Sequence, residues 1–133
     1  MKRRRHENED DEVTYRVIGC AFDVHQTLGS GHAEHIYRDA MYHVLSDETD
    51  FDCEKEVEID VTFRGESFGT RYADLLINGN LVVELKALKK ADKSHFQQLG
   101  INVEQAGATR GLLLNFGADS LDIWRYEPRG DGD

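Results

Sequence analysis

The sequence predicts an α+β layer fold with the element order ααβββαββ, and three observations carry that prediction. Two stretches of helical periodicity open the chain. An alternating segment, an Asn-Gly turn and a further apolar run then describe an antiparallel meander. A third helical stretch separates the meander from two more strands. At 133 residues the chain suits one domain with a core of its own.

Val13, Val17, Cys20, Ala21, Val24 and Leu28 recur at helical spacing and predict a helix over 13–28. Gly29-Ser30-Gly31 interrupts it. Ile36, Tyr37, Ala40, Met41, Val44 and Leu45 mark a second helix over 32–45, with the acidic SDETD after it read as a loop. Val57, Ile59, Val61 and Phe63 alternate with Glu56, Glu58, Asp60 and Thr62, the pattern of a half-buried strand. Arg64-Gly65-Glu66 reads as a turn, 70–77 as a second strand and 81–87 as a third. Residues 92–106 place Phe96, Leu99, Val103 and Ala106 on one helical face, with Gly107 suited to the end. GLLLNFG (111–117) reads as a buried strand and LDIWRYE (121–127) as an edge strand. The domain therefore covers 13–127, between a flexible charged N-terminus (1–12) and a flexible tail (128–133).

Sixteen Lys and Arg against 26 Asp and Glu give a net charge of -10, and 32% of residues are charged, above the usual ~25%. Such a surface favours solubility and opposes bulk attraction to phosphate. Phosphate contact then needs a local cluster. Lys86, Lys89, Lys90 and Lys93 fall within eight residues, with Asp92 the one acid among them, and Arg71 could add to the rim. A solvated, lysine-rich helix entry is the alternative. Cys20 and Cys53 have no CxxC partner, which suits free thiols in a reduced, cytoplasmic protein. No apolar run approaches the ~18 residues of a membrane span, and the N-terminal stretch lacks the apolar segment of a secretory signal. No membrane partner is expected.

The hairpin ADLLINGNLVVELK (73–86) sets carboxylates inside apolar runs. With a three-residue loop, Asn78 to Asn80, Ile77 faces Leu81, Leu75 faces Val83 and Asp74 faces Glu84. A two-residue loop would send the acids to opposite faces. Like charges directly opposite cost up to ~1 kcal/mol, and a hard divalent ion such as Mg²⁺ reverses that sign. Lys86 projects from the same face as Glu84. Acid, acid and amine around one point could hold a metal, orient a water and neutralise charge on a phosphate. An exposed acid and a Glu-Lys surface strand are the plainer reading. The apolar neighbours Leu75, Leu76, Ile77, Leu81, Val82 and Val83 weigh against it.

Four motifs stand in order: GHAEHIY (31–37), Asp74 with Glu84-Leu85-Lys86, His95 with Gln98, and GLLLNFG. Together they resemble the GxxExxY proteins, a branch of the PD-(D/E)XK nuclease-like superfamily, over roughly 13–126. The resemblance implies a restriction-endonuclease-like core, a mixed sheet with flanking helices. It implies a Mg²⁺- or Mn²⁺-dependent nuclease acting on DNA, single- or double-stranded. Asp74, Glu84 and Glu34 would be metal ligands and Lys86 the water-orienting or charge-stabilising residue. Gln98 would contact substrate or the active-site lysine and phosphate. His95 would lie near the nucleic acid, beside Lys89, Lys90, Lys93 and Arg71. Ala73 replaces the proline of the superfamily name, Ser30 stands where relatives often have Pro, and Asn102 where many have Tyr. Read by itself, Glu34 equally fits an acid near the positive end of a helix. His32 and His35, three apart, could face a transition metal. The rival functions are a non-catalytic nucleic-acid-binding module on the same fold and a homo-oligomer assembled through the edge strand around Ile123 and Trp124.

Overall fold

The computed structural model describes the backbone of residues 5–128 and the side chains of 11–128. Its elements are α1 (Arg5–Leu28), α2 (Glu34–Glu48), β1 (Cys53–Phe63), β2 (Glu66–Ile77), β3 (Leu81–Lys86), α3 (Lys93–Ala106), β4 (Arg110–Asn115) and β5 (Asp122–Tyr126). The order ααβββαββ is the expected one. The strands form one sheet in the order β1-β2-β3-β4-β5. All neighbours are antiparallel except β3 and β4. That parallel pair needs a crossover, which α3 supplies.

Each helix covers the sheet with the stripe its periodicity marks. Val17, Cys20, Ala21 and Val24 of α1 and Tyr37, Met41 and Leu45 of α2 pack on Leu75, Val83, Leu85, Leu112 and Leu114. On the other face Leu99 and Val103 of α3 meet Ile59, Ala73, Val82 and Leu113. Tyr37 closes the GHAEHIY motif from inside the core. Its ring stacks on Phe116 at 4.6 Å, and its hydroxyl donates to Gly29 O and accepts from His32 N–H.

Several boundaries differ from the expected ones. α1 begins at Arg5, ahead of the expected start at Val13 and inside the stretch read as a flexible terminus; 1–4 and 129–133 lie outside the described residues. Asp11 forms an ion pair with Arg110 at the start of β4, a tie that composition does not show. α2 runs through Ser46, Asp47 and Glu48 before Thr49 caps it. β1 starts three residues early, at Cys53, and β2 reaches back to Glu66 through a two-residue turn in which Arg64 (φ 52°) and Gly65 (φ 81°) both take left-handed backbone. Those values favour the turn twist that matches paired strands.

The GLLLNFG motif serves the junction after β3. Asn115, fully buried, accepts from Leu88 N–H and donates to Leu88 O, both at 2.9 Å. Phe116 N–H donates to Lys86 O at 2.8 Å. A Cβ on Gly117 would sit 2.4 Å from the Leu88 backbone, so the close approach requires glycine. These contacts fix the chain just past Lys86. Gly117→Ala should lower stability by about 1–3 kcal/mol, the range for overpacking. Gly19→Ala, with open space around it on α1, should raise stability by about 0.5–1 kcal/mol. Urea unfolding of the two variants measures both; a neutral Gly117→Ala would contradict the close-packed junction.

Candidate active site

The hairpin adopts the register that the three-residue loop requires: Ile77 pairs with Leu81 and Leu75 with Val83. Asn78 (φ 53°) and Gly79 (φ 71°) make the turn, and the extra residue, Asn80, turns its carbonyl to Thr109 N–H and Arg110 N–H at the start of β4. Pairing between β2 and β3 stops at Leu75↔Val83, whereas β3 stays paired to β4 through Lys86↔Asn115. β2 therefore parts from β3 at Asp74, and the opening between them is the cleft.

A kink produces the parting. Leu75 and Ile77 belong to the cluster under α1 and α2, but Ala73 belongs to the cluster under α3. Across the pair, Glu56 has φ 54°, between the partners Lys55↔Leu75 and Val57↔Ala73. Left-handed backbone at a non-glycine residue costs roughly 1–2 kcal/mol. Arg38 of α2 holds Glu56 there through an ion pair at 2.9 Å. The kink frees Asp74 from strict alternation, and its Oδ2 accepts the Leu85 N–H that β2 no longer satisfies, at 2.8 Å.

The cleft holds about 400 Å³. Glu34, Asp74, Glu84, Lys86 and Gln98 line it, the five residues expected to be catalytic. Arg71 and Asn102 complete the α3 side, and Thr70 and Tyr72 the β2 side. Glu84 is only 9% exposed. Burial, then the Asp74 charge, push its carboxyl up to about 8, against the pull of Asn102 and Lys86. Burial also raises Asp74, with Leu85 N–H, Lys86 and Arg38 working the other way. The pair thus lacks positive charge.

Asn102, 3% exposed, links both sides of the site. Its Nδ2 donates to Glu84 Oε2 at 3.1 Å, and its Oδ1 accepts from Arg71 Nε at 2.6 Å. Arg71 Nη2 also reaches Gln98 O at 3.5 Å. The guanidinium can only donate, which fixes the amide's orientation. The sequence marked Asn102 only as a departure from a family tyrosine. Its place four residues after Gln98, on the same helix face, is the signal that points it to the cleft.

Other expected residues fall outside. Lys89 and Lys90 are exposed on the connection after β3, and Lys93 opens α3; none lines the cleft. His95 is turned to the helix start: its Nδ1 accepts from Asp92 N–H at 3.1 Å, completing a capping box. Helix capping is its observed role. Glu34, the first residue of α2, is exposed at the rim. Among the described residues no three His, Cys, Asp or Glu side chains form a metal-holding group, and Glu34 lines the cleft of the acid pair from its rim. The donor set still fits a hard divalent ion: two carboxylates short of positive charge, in a polar cleft where water and phosphate oxygens supply the remaining ligands.

This geometry defines an acid–acid–lysine cleft on a mixed sheet. The family model of the PD-(D/E)XK nuclease superfamily matches residues 11–126. The chain belongs to that superfamily. The solved crystal structure of SSO0001 is similar, with a TM-score of 0.57 and 22% identity over 73% of this chain. The match spans half of that protein's length and carries the fold alone. No curated protein matches. Among the described residues no helix is long and apolar enough to cross a membrane.

Glu84 titrates near 8 in the fold against an ordinary 4.5. The folded state holds the extra proton, so the metal-free protein loses stability as pH rises through that window. Glu84→Gln removes the ionisation. In EDTA its stability should gain on wild type between about pH 5 and about pH 9, measured by urea unfolding at both values. An equal difference at both would contradict the buried, repelled carboxylate.

Proposed function

We propose that this protein is a Mg²⁺- or Mn²⁺-dependent nuclease of the GxxExxY branch that hydrolyses phosphodiester bonds in DNA. The observation that carries this reading is the convergence of Asp74, Glu84 and Lys86 in one cleft. Superfamily membership supports it. Asp74 and Glu84 are the residues that would hold the ion, which when bound polarises a phosphoryl oxygen and lowers the pKa of a water.

The chain's own groups do the rest. Lys86 donates to the phosphoryl oxygens as negative charge builds on them, and orients the attacking water. The Asn115 clamp behind it limits how far its strand end shifts. Arg71 grips a neighbouring phosphate oxygen, held in place by Asn102. Gln98 lies one helical turn away on the same cleft wall and contacts substrate. Glu34, at the rim of the same cleft, would add a further acid toward the ion. The two free thiols, Cys20 and Cys53, suit a reducing compartment, and we place the protein in the cytoplasm.

Labelled DNA incubated with the protein and Mn²⁺ tests this directly. Wild type should cut, and EDTA should stop it. Lys86→Ala should slow cleavage about 10²–10³-fold, as removal of one preorganised transition-state donor does, and Asp74→Ala at least as much. No metal-dependent cleavage, or full activity in both variants, would overturn the assignment.

A further inference from the structure

We infer that the nucleic acid entering this cleft is single-stranded, with an unpaired base stacked on Tyr72. The inference rests on the phosphodiesterase reading and narrows its substrate class. Tyr72 lines the cleft and is 58% exposed. Two other exposed aromatic side chains lie on the same hairpin, Phe63 at 63% and Phe68 at 69%. The Arg64 guanidinium lies 5.1 Å from the Phe63 ring centre. Exposed aromatics also occur on α1, at Tyr15 and Phe22, but of these five only Tyr72 belongs to the acid cleft.

Two jobs fall to adjacent positions of β2. Arg71 turns toward α3, where Asn102 holds its guanidinium. Tyr72, the next residue, is exposed and lines the same cleft, where its carbonyl accepts from Asn102 Nδ2 at 3.5 Å. A nucleotide whose phosphate meets Arg71 and Lys86 then has an aromatic face within one residue of the same strand. Bases stack on such faces regardless of sequence, and the contact needs the base to be unpaired.

Charge around the cleft points the same way. Tyr72 pairs across the sheet with Glu58, and Thr70 with Asp60. The cations on that flank are already committed: Arg38 to Asp39 and Glu56, Lys55 to Asp39. A duplex brings a second phosphate strand, with one charge per roughly 1.7 Å of axis, toward this acidic flank. One flexible strand can keep its phosphates on the Arg71 and Lys86 side and lay its bases toward Tyr72. A net charge of -10 favours the smaller electrostatic footprint.

Fluorescence anisotropy of a labelled single strand, its duplex, and the same strand with an abasic site tests the inference, with Ca²⁺ present and cleavage in Mn²⁺ read in parallel. The single strand should bind at least about tenfold tighter than the duplex. Tyr72→Ala should weaken single-strand binding by about 5- to 100-fold, the effect of losing one stacked base. Tyr72→Phe should retain it, which separates stacking from misfolding. The abasic site should weaken binding to wild type and add nothing in Tyr72→Ala. Equal affinity for duplex, or unchanged binding by Tyr72→Ala, would overturn the inference. Mn²⁺-dependent cleavage that ignores Tyr72 would leave the nuclease assignment standing without it. Tyr72-dependent binding without cleavage would do the reverse.

Discussion

Two carboxylates of like charge are held in the opening between β2 and β3, and the rest of the site answers to that constraint. In a continuous antiparallel ladder they would repel with no compensation beyond Lys86. The parting of the strands at Asp74 gives one acid a backbone donor, Leu85 N–H, and leaves the other against Asn102. The repulsion is reduced rather than removed, as the upward shift of Glu84 shows. A divalent cation binds where the protein alone is short of positive charge, and that is the basis of the proposed ion site.

Supports for the acid pair come from elements distant in sequence. α2 contributes Arg38, which holds the left-handed Glu56 opposite Asp74. α3 contributes Asn102, which ties Glu84 to Arg71. The end of β4 contributes Asn115 and Gly117, which fix the chain after Lys86. Left-handed backbone at Glu56, a buried hydrogen-bonded amide at Asn102 and a glycine that admits no side chain at 117 are each set next to a residue of the cleft or the chain that carries it. Such clustering is expected where local structure is shaped by a site rather than by packing alone.

Much of this was legible in the sequence, and the residues show why. Helical stripes such as Val17, Ala21 and Val24, and Tyr37 and Met41, name the core because a period depends only on which neighbours share a face. The register of the hairpin was legible because loop length fixes it, but the direct facing of Asp74 and Glu84 did not follow, because the ladder ends at Leu75↔Val83 and Asp74 turns to Leu85 N–H instead. The kink at Glu56 was not legible, since a charged residue in an alternating strand gives no sign of left-handed backbone. His95 looked like a cleft residue by position, but a side chain three residues after Asp92 has a competing local partner in the helix cap. The lysines at 89, 90 and 93 are near Lys86 in sequence but exposed outside the cleft it lines, because nearness along the chain does not fix direction. The first turns of α1 include Asp11, which pairs with Arg110, 99 positions away, and no local pattern reports such a contact.

Mn²⁺ binding coupled to proton release is the most direct measurement of the buried acid pair. Calorimetric titration of the full chain near pH 7, in two buffers of different ionisation enthalpy, counts the protons that leave as the ion enters. With Glu84 titrating near 8, about one proton should be released per ion, and Glu84→Gln should release essentially none while binding more weakly. Tight Mn²⁺ binding with no proton release in wild type, or no binding at all, would contradict a metal site built on Asp74 and Glu84.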